Sequence, residues 1–300
     1  MTSVAAHPVQ TERLTLTADD GYELVAVRYR STVKPRAHLV VGGATAVPQG
    51  FYKRFAQHAA RRGFDVLTLD YRGIGASAPP SLKGFRMDYL DWGRLDLAAG
   101  IQAMRAEGMP LYVVGHSYGG HALGLLPSPD AVHGAWTFAT GAGWHGWMPP
   151  LERLRVLFMW RVLGPVWTRM AGYLPWSKLG MGEDLPLDVY RQWRNWCRFP
   201  RYFFDDPDMQ TTTDRFADVR FPIVAVNALD DAWAPPASRD AFMAGYRNSS
   251  VRAVTIDPRQ NQLGAIGHMG YFRPKAKPLW DEALDWFESL PGLRQAGLKT

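Results

Sequence analysis

Ser117 stands inside Gly115-His116-Ser117-Tyr118-Gly119, directly after the apolar run Leu111-Tyr112-Val113-Val114. A serine hydroxyl is a weak nucleophile and attacks an acyl carbon only when a neighbouring base takes its proton. The apolar run reads as a short buried strand. The small residues Gly119, Gly120 and Ala122 then open a helix. Strand, G-x-S-x-G and helix start are the context of a nucleophile elbow, in which a strained turn projects Oγ from the strand end. The flanking glycines have a steric reason, because a Cβ at either position would collide with neighbouring backbone.

An elbow of this kind takes its acid and then its base from later in the chain. The last histidine is His268, within the Gly-rich stretch Ala265-Ile266-Gly267-His268-Met269-Gly270 that precedes a helical stretch near 277–290. A loop at that place can reach back over a sheet to the serine, so His268 is the expected general base. The acid should follow the penultimate strand, which Phe221-Pro222-Ile223-Val224-Ala225-Val226-Asn227 resembles in pattern; Asp230 and Asp231 come next. In the implied chemistry Ser117 attacks an acyl carbonyl while His268 takes the proton and later returns it to the leaving group. The aspartate orients the imidazole. The tetrahedral oxyanion needs preorganised N–H donors. The Tyr118 amide is the first expected donor. The second should come from Gly42-Gly43-Ala44-Thr45-Ala46, with Ala44 and Thr45 as candidates.

The elements that must position these residues are legible as alternating patterns. Residues 11–17 and 22–29 alternate apolar and polar around Asp19-Asp20-Gly21, a hairpin signature. Residues 38–41, 65–69, 111–114, 134–140, 221–227 and 252–256 read as strands. Residues 51–62 and 88–107 read as helices that stop at Gly63 and Gly108. Strands alternating with helices predict an α/β protein with a mostly parallel sheet covered on both faces. Residues 141–214 break that pattern. They hold Trp144, Trp147, Trp160, Trp167, Trp176, Trp193 and Trp196, more than half of the 12 tryptophans, with helical spacing over 151–163 and 187–198. Large aromatics serve cores first, so these rings either hold a helical unit together or line an apolar pocket.

A chain of 300 residues with 47% hydrophobic and 21% charged residues suits one globular domain with an insertion. The net charge of +6 is spread without a basic run, which argues against a nucleic-acid partner. It suits solubility, or a weak draw toward anionic substrates or membrane surfaces. A single cysteine, Cys197, excludes an intrachain disulfide. No signal sequence and no membrane span are expected, and the cytoplasm is the default location. No Cys/His cluster has zinc spacing and no dinucleotide fingerprint follows a strand, so neither a metal nor another cofactor is expected.

Nearly the whole chain resembles the α/β-hydrolase superfamily. Asp70-Tyr71-Arg72-Gly73-Ile74-Gly75-Ala76-Ser77 is similar to its D-x-R-G-x-G-x-S segment. Together with Tyr52, Asp91-Trp92-Gly93, Asp96 and Gly267-His268-Met269-Gly270-Tyr271-Phe272-Arg273, it resembles a bacterial group of predicted serine hydrolases. The resemblance implies the α/β-hydrolase fold, with residues 1–140 and 215–300 as core domain and residues 141–214 as a helical, Trp-rich cap. It favours Asp231 over Asp230 as the acid, because Asp231 opens an Asp-x-apolar-x-Pro loop. Asp70 and Arg72 are read as braces under the site, and the His116 side chain as pointing away from the reaction. The expected activity is hydrolysis of a carboxylic ester or related acyl bond, on a small-molecule substrate with an apolar acyl part. Acyl transfer on the same residues and ligand binding without catalysis are the alternatives, and a homo-oligomer is left open.

Overall fold

The structure, a computed structural model, describes residues 8–260 and 263–291. Among these, eight strands form one sheet: β1 (Thr11–Thr17), β2 (Glu23–Tyr29), β3 (Ala37–Gly42), β4 (Phe64–Leu69), β5 (Leu111–His116), β6 (Gly134–Phe138), β7 (Ile223–Ala228) and β8 (Val251–Ile256), in the spatial order β1-β2-β4-β3-β5-β6-β7-β8. β1 and β2 are the expected hairpin, and β2 pairs antiparallel with β4. From β4 to β8 the neighbours are parallel.

The central strands are apolar on both faces because each face is covered. Leu39, Val41, Val66, Val114, Val224 and Val226 point to one side, where helices Lys53–Arg61 and Lys277–Ser289 bury Phe55, Ala59, Trp280 and Phe287. Val40, Leu67, Val113, Ala135 and Ala225 point to the other, against Leu97, Ile101 and Met104. Because the strands from β4 to β8 run parallel, their carboxyl ends, and the loops that follow them, lie along one rim of the sheet.

Three elements differ from the expectation. The helix read over 88–107 is shorter: Trp92–Leu97 is wound as π-helix and only Ala98–Met104 as α-helix. The wide turn lays Asp96 onto Arg72, whose N–H and Nε it accepts at 2.8 Å each. A Cβ at Gly93 would lie 2.7 Å from Leu125, so the close crossing needs glycine. Asp70 in turn accepts from the Gln49 and Ala76 amides, and the two charges act as the braces expected of them. The helix after Ser117 is brief, Tyr118–His121 and then a 3-10 turn to Leu125. Third, the helix expected over 151–163 continues to Ala171 through Pro165, because the Met159–Leu163 stretch widens to π just before the proline that lacks an N–H.

Residues 141–214 leave the sheet after β6 and return before β7. Hydrogen bonds tie them to the rest of the chain at several points, among them Arg94 Nη2 to the Thr212 hydroxyl at 2.6 Å and Gln192 Nε2 to Asp88 at 2.9 Å. Trp233 Nε1 donates to Glu152 at 2.9 Å, the Tyr89 amide donates to Gln192 at 2.6 Å, and the Glu183 amide donates to the Ala46 carbonyl at 2.8 Å.

Candidate active site

β5 ends at His116, and Ser117 takes φ 51° and ψ −106°, a left-handed conformation that a side chain adopts only under constraint. The constraint is visible around it. The Ser117 amide donates to the Phe138 carbonyl of β6 at 2.8 Å. Its carbonyl accepts from the Gly120 amide and the Thr140 hydroxyl, both at 3.0 Å. A Cβ at Gly119 would stand 2.1 Å from the Gly42 carbonyl oxygen, so no other residue lets the turn approach β3 this closely.

The loop after β7 carries Asp231, which is 1% exposed. Its Oδ1 accepts from the Trp233 and Ala234 amides at 3.0 and 2.9 Å, which fixes the carboxylate's orientation. The loop after β8 carries His268. Its Nδ1 lies 3.0 Å from Asp231 Oδ2, and its Nε2 lies 3.1 Å from Ser117 Oγ. A carboxylate can only accept, so Nδ1 carries the proton and donates to Asp231, and Nε2 is left to accept from the serine hydroxyl. Asp230 is exposed and faces elsewhere; its Oδ2 accepts from the Ile266 amide at 2.8 Å and so steadies the loop that carries His268.

A second hydrogen-bonded chain runs beneath the first and was not legible in the sequence. His116 is fully buried, and its Nε2 lies 2.9 Å from the His268 carbonyl oxygen, so this nitrogen is the donor. Burial pushes the His116 pKa down to about 3 and keeps the ring neutral. Its Nδ1 therefore accepts, and the Tyr52 hydroxyl donates to it at 3.0 Å. Tyr52 Oη accepts from the Ala44 amide at 2.7 Å. One wire thus ties the loop after β3, the residue before the serine and the backbone of His268. The His116 ring bonds to Tyr52 and to the His268 carbonyl rather than to Ser117, and so supports the loop that carries His268. Tyr52 entered the sequence reading only through the resemblance.

The wire also corrects one expectation. The Ala44 N–H is already committed to Tyr52 and is not a free oxyanion donor. The amides of Tyr118 and Thr45 have no acceptor among the described residues. Tyr52→Phe would strand the Ala44 N–H and the His116 Nδ1, both buried. The expected loss is about 1–3 kcal/mol of stability, measured by denaturant unfolding, with turnover reduced as His268 loosens. An unchanged midpoint would mean that the wire closes without the hydroxyl.

Ser117 and His268 open onto a cavity of about 390 Å³ whose wall is mostly apolar. Of the seven tryptophans between 141 and 214, Trp176 and Trp193 line it, stacked with centroids 5.3 Å apart. Trp233, from the Asp231 loop, joins them 6.0 Å from Trp193. Trp160 packs behind this wall, and Trp196 stacks on Tyr89 at 5.7 Å. Trp144 packs edge-on against Trp147, and Trp167 is partly exposed. Both readings of the tryptophans therefore hold, for different rings. Cys197 is buried in the cavity wall, where burial pushes its thiol well above the usual range, so it acts as a small apolar residue. Among the described residues no group of His, Cys, Asp and Glu is arranged to hold a metal ion, and no helix is long and apolar enough to cross a membrane.

A mostly parallel sheet with Ser117, Asp231 and His268 brought together at its carboxyl rim defines an open α/β fold whose candidate site is built from loops. Residues 39–287 match the alpha/beta hydrolase family, and the chain belongs to that family. Among curated proteins, a monoglyceride lipase of Saccharomyces cerevisiae is 32% identical over 69 residues; the match spans 22% of this chain and 22% of the yeast protein. Among solved structures, an esterase of Pyrococcus furiosus matches with a TM-score of 0.58 at 11% identity, over 94% of this chain and 93% of that one. An acylaminoacyl peptidase of Pyrococcus horikoshii matches with a TM-score of 0.60 at 14% identity, over 94% of this chain but 41% of the peptidase. At these identities the structural likeness is one of fold.

Proposed function

We propose that the protein is a serine hydrolase that cleaves carboxylic esters with an apolar acyl part. The observation that carries this reading is the line Ser117 Oγ–His268 Nε2, His268 Nδ1–Asp231 Oδ2, at 3.1 and 3.0 Å, opening into a cavity of about 390 Å³ walled by Trp176, Trp193 and Trp233. That volume falls within the ~300–1,000 Å³ usual for small-molecule sites.

Ser117 Oγ bonds to the acyl carbon as its proton passes to His268 Nε2. Asp231 stabilises the imidazolium that forms. The Tyr118 and Thr45 amides are the proposed donors to the oxyanion, each worth about 10²–10³ in turnover. Collapse of the tetrahedral species breaks the bond to the alcohol oxygen, which takes the proton from His268. Water, deprotonated by the same nitrogen, then releases the acid and restores Ser117. Residues 141–214 act as a cap over this chemistry. By excluding water they strengthen the hydrogen bonds to the oxyanion, and their aromatic wall receives the acyl chain.

A series of straight-chain acyl esters tests the cap. Each added CH₂ buried against the wall contributes about 0.8 kcal/mol, a roughly three- to fourfold rise in kcat/KM per carbon, until the cavity is full. Trp176→Ala and Trp193→Ala are expected to move the optimum to longer chains, while Trp144→Ala and Trp147→Ala leave it in place. A flat length profile, unchanged by any of the four, would reduce the segment to scaffold.

A further inference from the structure

Residues 150–171 form one continuous helical rod: Pro150–Phe158 as α-helix, Met159–Leu163 as π-helix and Gly164–Ala171 as α-helix. Its inner face buries Val156, Met159, Trp160 and Thr168. Trp160 lies 5.0 Å from Trp193 and 6.1 Å from Trp176, so the rod backs directly onto the cavity wall. Its outer face is the anomaly. Leu151, Leu154, Phe158, Val162, Val166 and Met170 are 45–79% exposed. Intervals of three and four residues bring all six back to one side of the rod. At a rise of about 1.5 Å per residue they make a stripe about 28 Å long. Single exposed apolar residues are ordinary, but a contiguous stripe of this length marks a surface that meets something apolar.

The charges beside the stripe indicate what it meets. Arg155, Arg161 and Arg169 are exposed along it. Glu152, the rod's one carboxylate, is engaged by Trp233 Nε1 at 2.9 Å and by Arg155 at 3.5 Å. Arg161 and Arg169 form no ion pair with any described residue. An apolar stripe rimmed by unneutralised arginines matches an interfacial helix, with acyl chains receiving the stripe and anionic headgroups receiving the guanidiniums. A two-fold contact between copies would offer these arginines, from the facing rod, no carboxylate but Glu152, which Trp233 and Arg155 already engage. From this face we infer that the protein docks on anionic lipid surfaces through the outer side of residues 150–171. The stripe lies one helix thickness from the proposed acyl cavity, so docking would place a lipid phase against the cavity's outer wall. The docking itself requires no turnover and is tested separately from the acyl chemistry.

The test is cosedimentation of the full chain with vesicles of phosphatidylcholine alone and of phosphatidylcholine mixed equally with phosphatidylglycerol, at low and at raised salt. The protein is expected to pellet with the mixed vesicles, to stay in solution with the neutral ones, and to be released by salt. Arg161→Gln and Arg169→Gln are each expected to weaken binding about fivefold. Phe158→Ser combined with Met170→Ser should abolish it, with the unfolding midpoint and the turnover of a water-soluble ester unchanged. Failure of the parent to pellet with the mixed vesicles, equal binding to neutral ones, or binding untouched by these variants would overturn the inference. So would a concentration-dependent dimer that the Phe158→Ser, Met170→Ser variant disperses, because a second copy would then be the occupant.

Discussion

Ser117→Ala is expected to lower ester turnover by about 10⁶-fold, toward the uncatalysed background, while the folded state persists. The size of the effect follows from Oγ being the only atom removed and, in the proposed mechanism, the one that bonds to the acyl carbon. The fold should tolerate the change. The elbow is held by backbone hydrogen bonds to Phe138, Gly120 and Thr140 rather than by the hydroxyl. Kinetics on a short-chain ester, paired with a thermal unfolding curve, check both halves. Turnover that survives in a folded Ser117→Ala variant would place the nucleophile elsewhere.

Asp231→Asn is expected to cost about 10⁴ in turnover, and the structure gives a specific reason. Asp231 Oδ1 is pinned by the amides of Trp233 and Ala234. An asparagine must keep its carbonyl oxygen there, which turns its NH₂ toward His268 Nδ1. Nδ1 then has to accept, and the proton moves to Nε2, where it faces Ser117 and blocks proton abstraction. Asp230→Asn should lose less than about tenfold, since an amide oxygen can still accept from Ile266. Comparable damage from the two substitutions, or the reverse order, would transfer the acid's role to Asp230. His268→Ala belongs with Ser117→Ala in magnitude, because among the described residues His268 Nε2 is the one partner of the Ser117 hydroxyl.

The residues of the proposed site were legible because local chemistry marks them. Gly115 and Gly119 flag the elbow, the strand patterns before Ser117 and Asp231 place both at one sheet rim, and His268 follows the last strand. Signals of period 2 in strands and of Gly or Pro at breaks survive in any window of sequence. What stayed hidden is non-local. The Tyr52 hydroxyl reaches a histidine 64 residues on, which in turn reaches a carbonyl 152 residues further. No spacing rule links such partners, and for that reason Ala44 looked as available as Thr45. The same limit applies to the tryptophans. Composition counted seven of them in one segment, but only packing separates Trp176 and Trp193, which face the cavity, from Trp144 and Trp147, which do not. The helix through Pro165 was hidden for another reason. Proline normally ends a helix, and only the π-wound stretch before it lets the rod continue.

The most direct test of the account is covalent labelling by a fluorophosphonate, which phosphonylates a serine only when its hydroxyl is activated. Peptide mass mapping is expected to find one equivalent of probe on the peptide containing Ser117 and none there in His268→Ala. Labelling of a different serine, or no labelling of a folded protein, would contradict it.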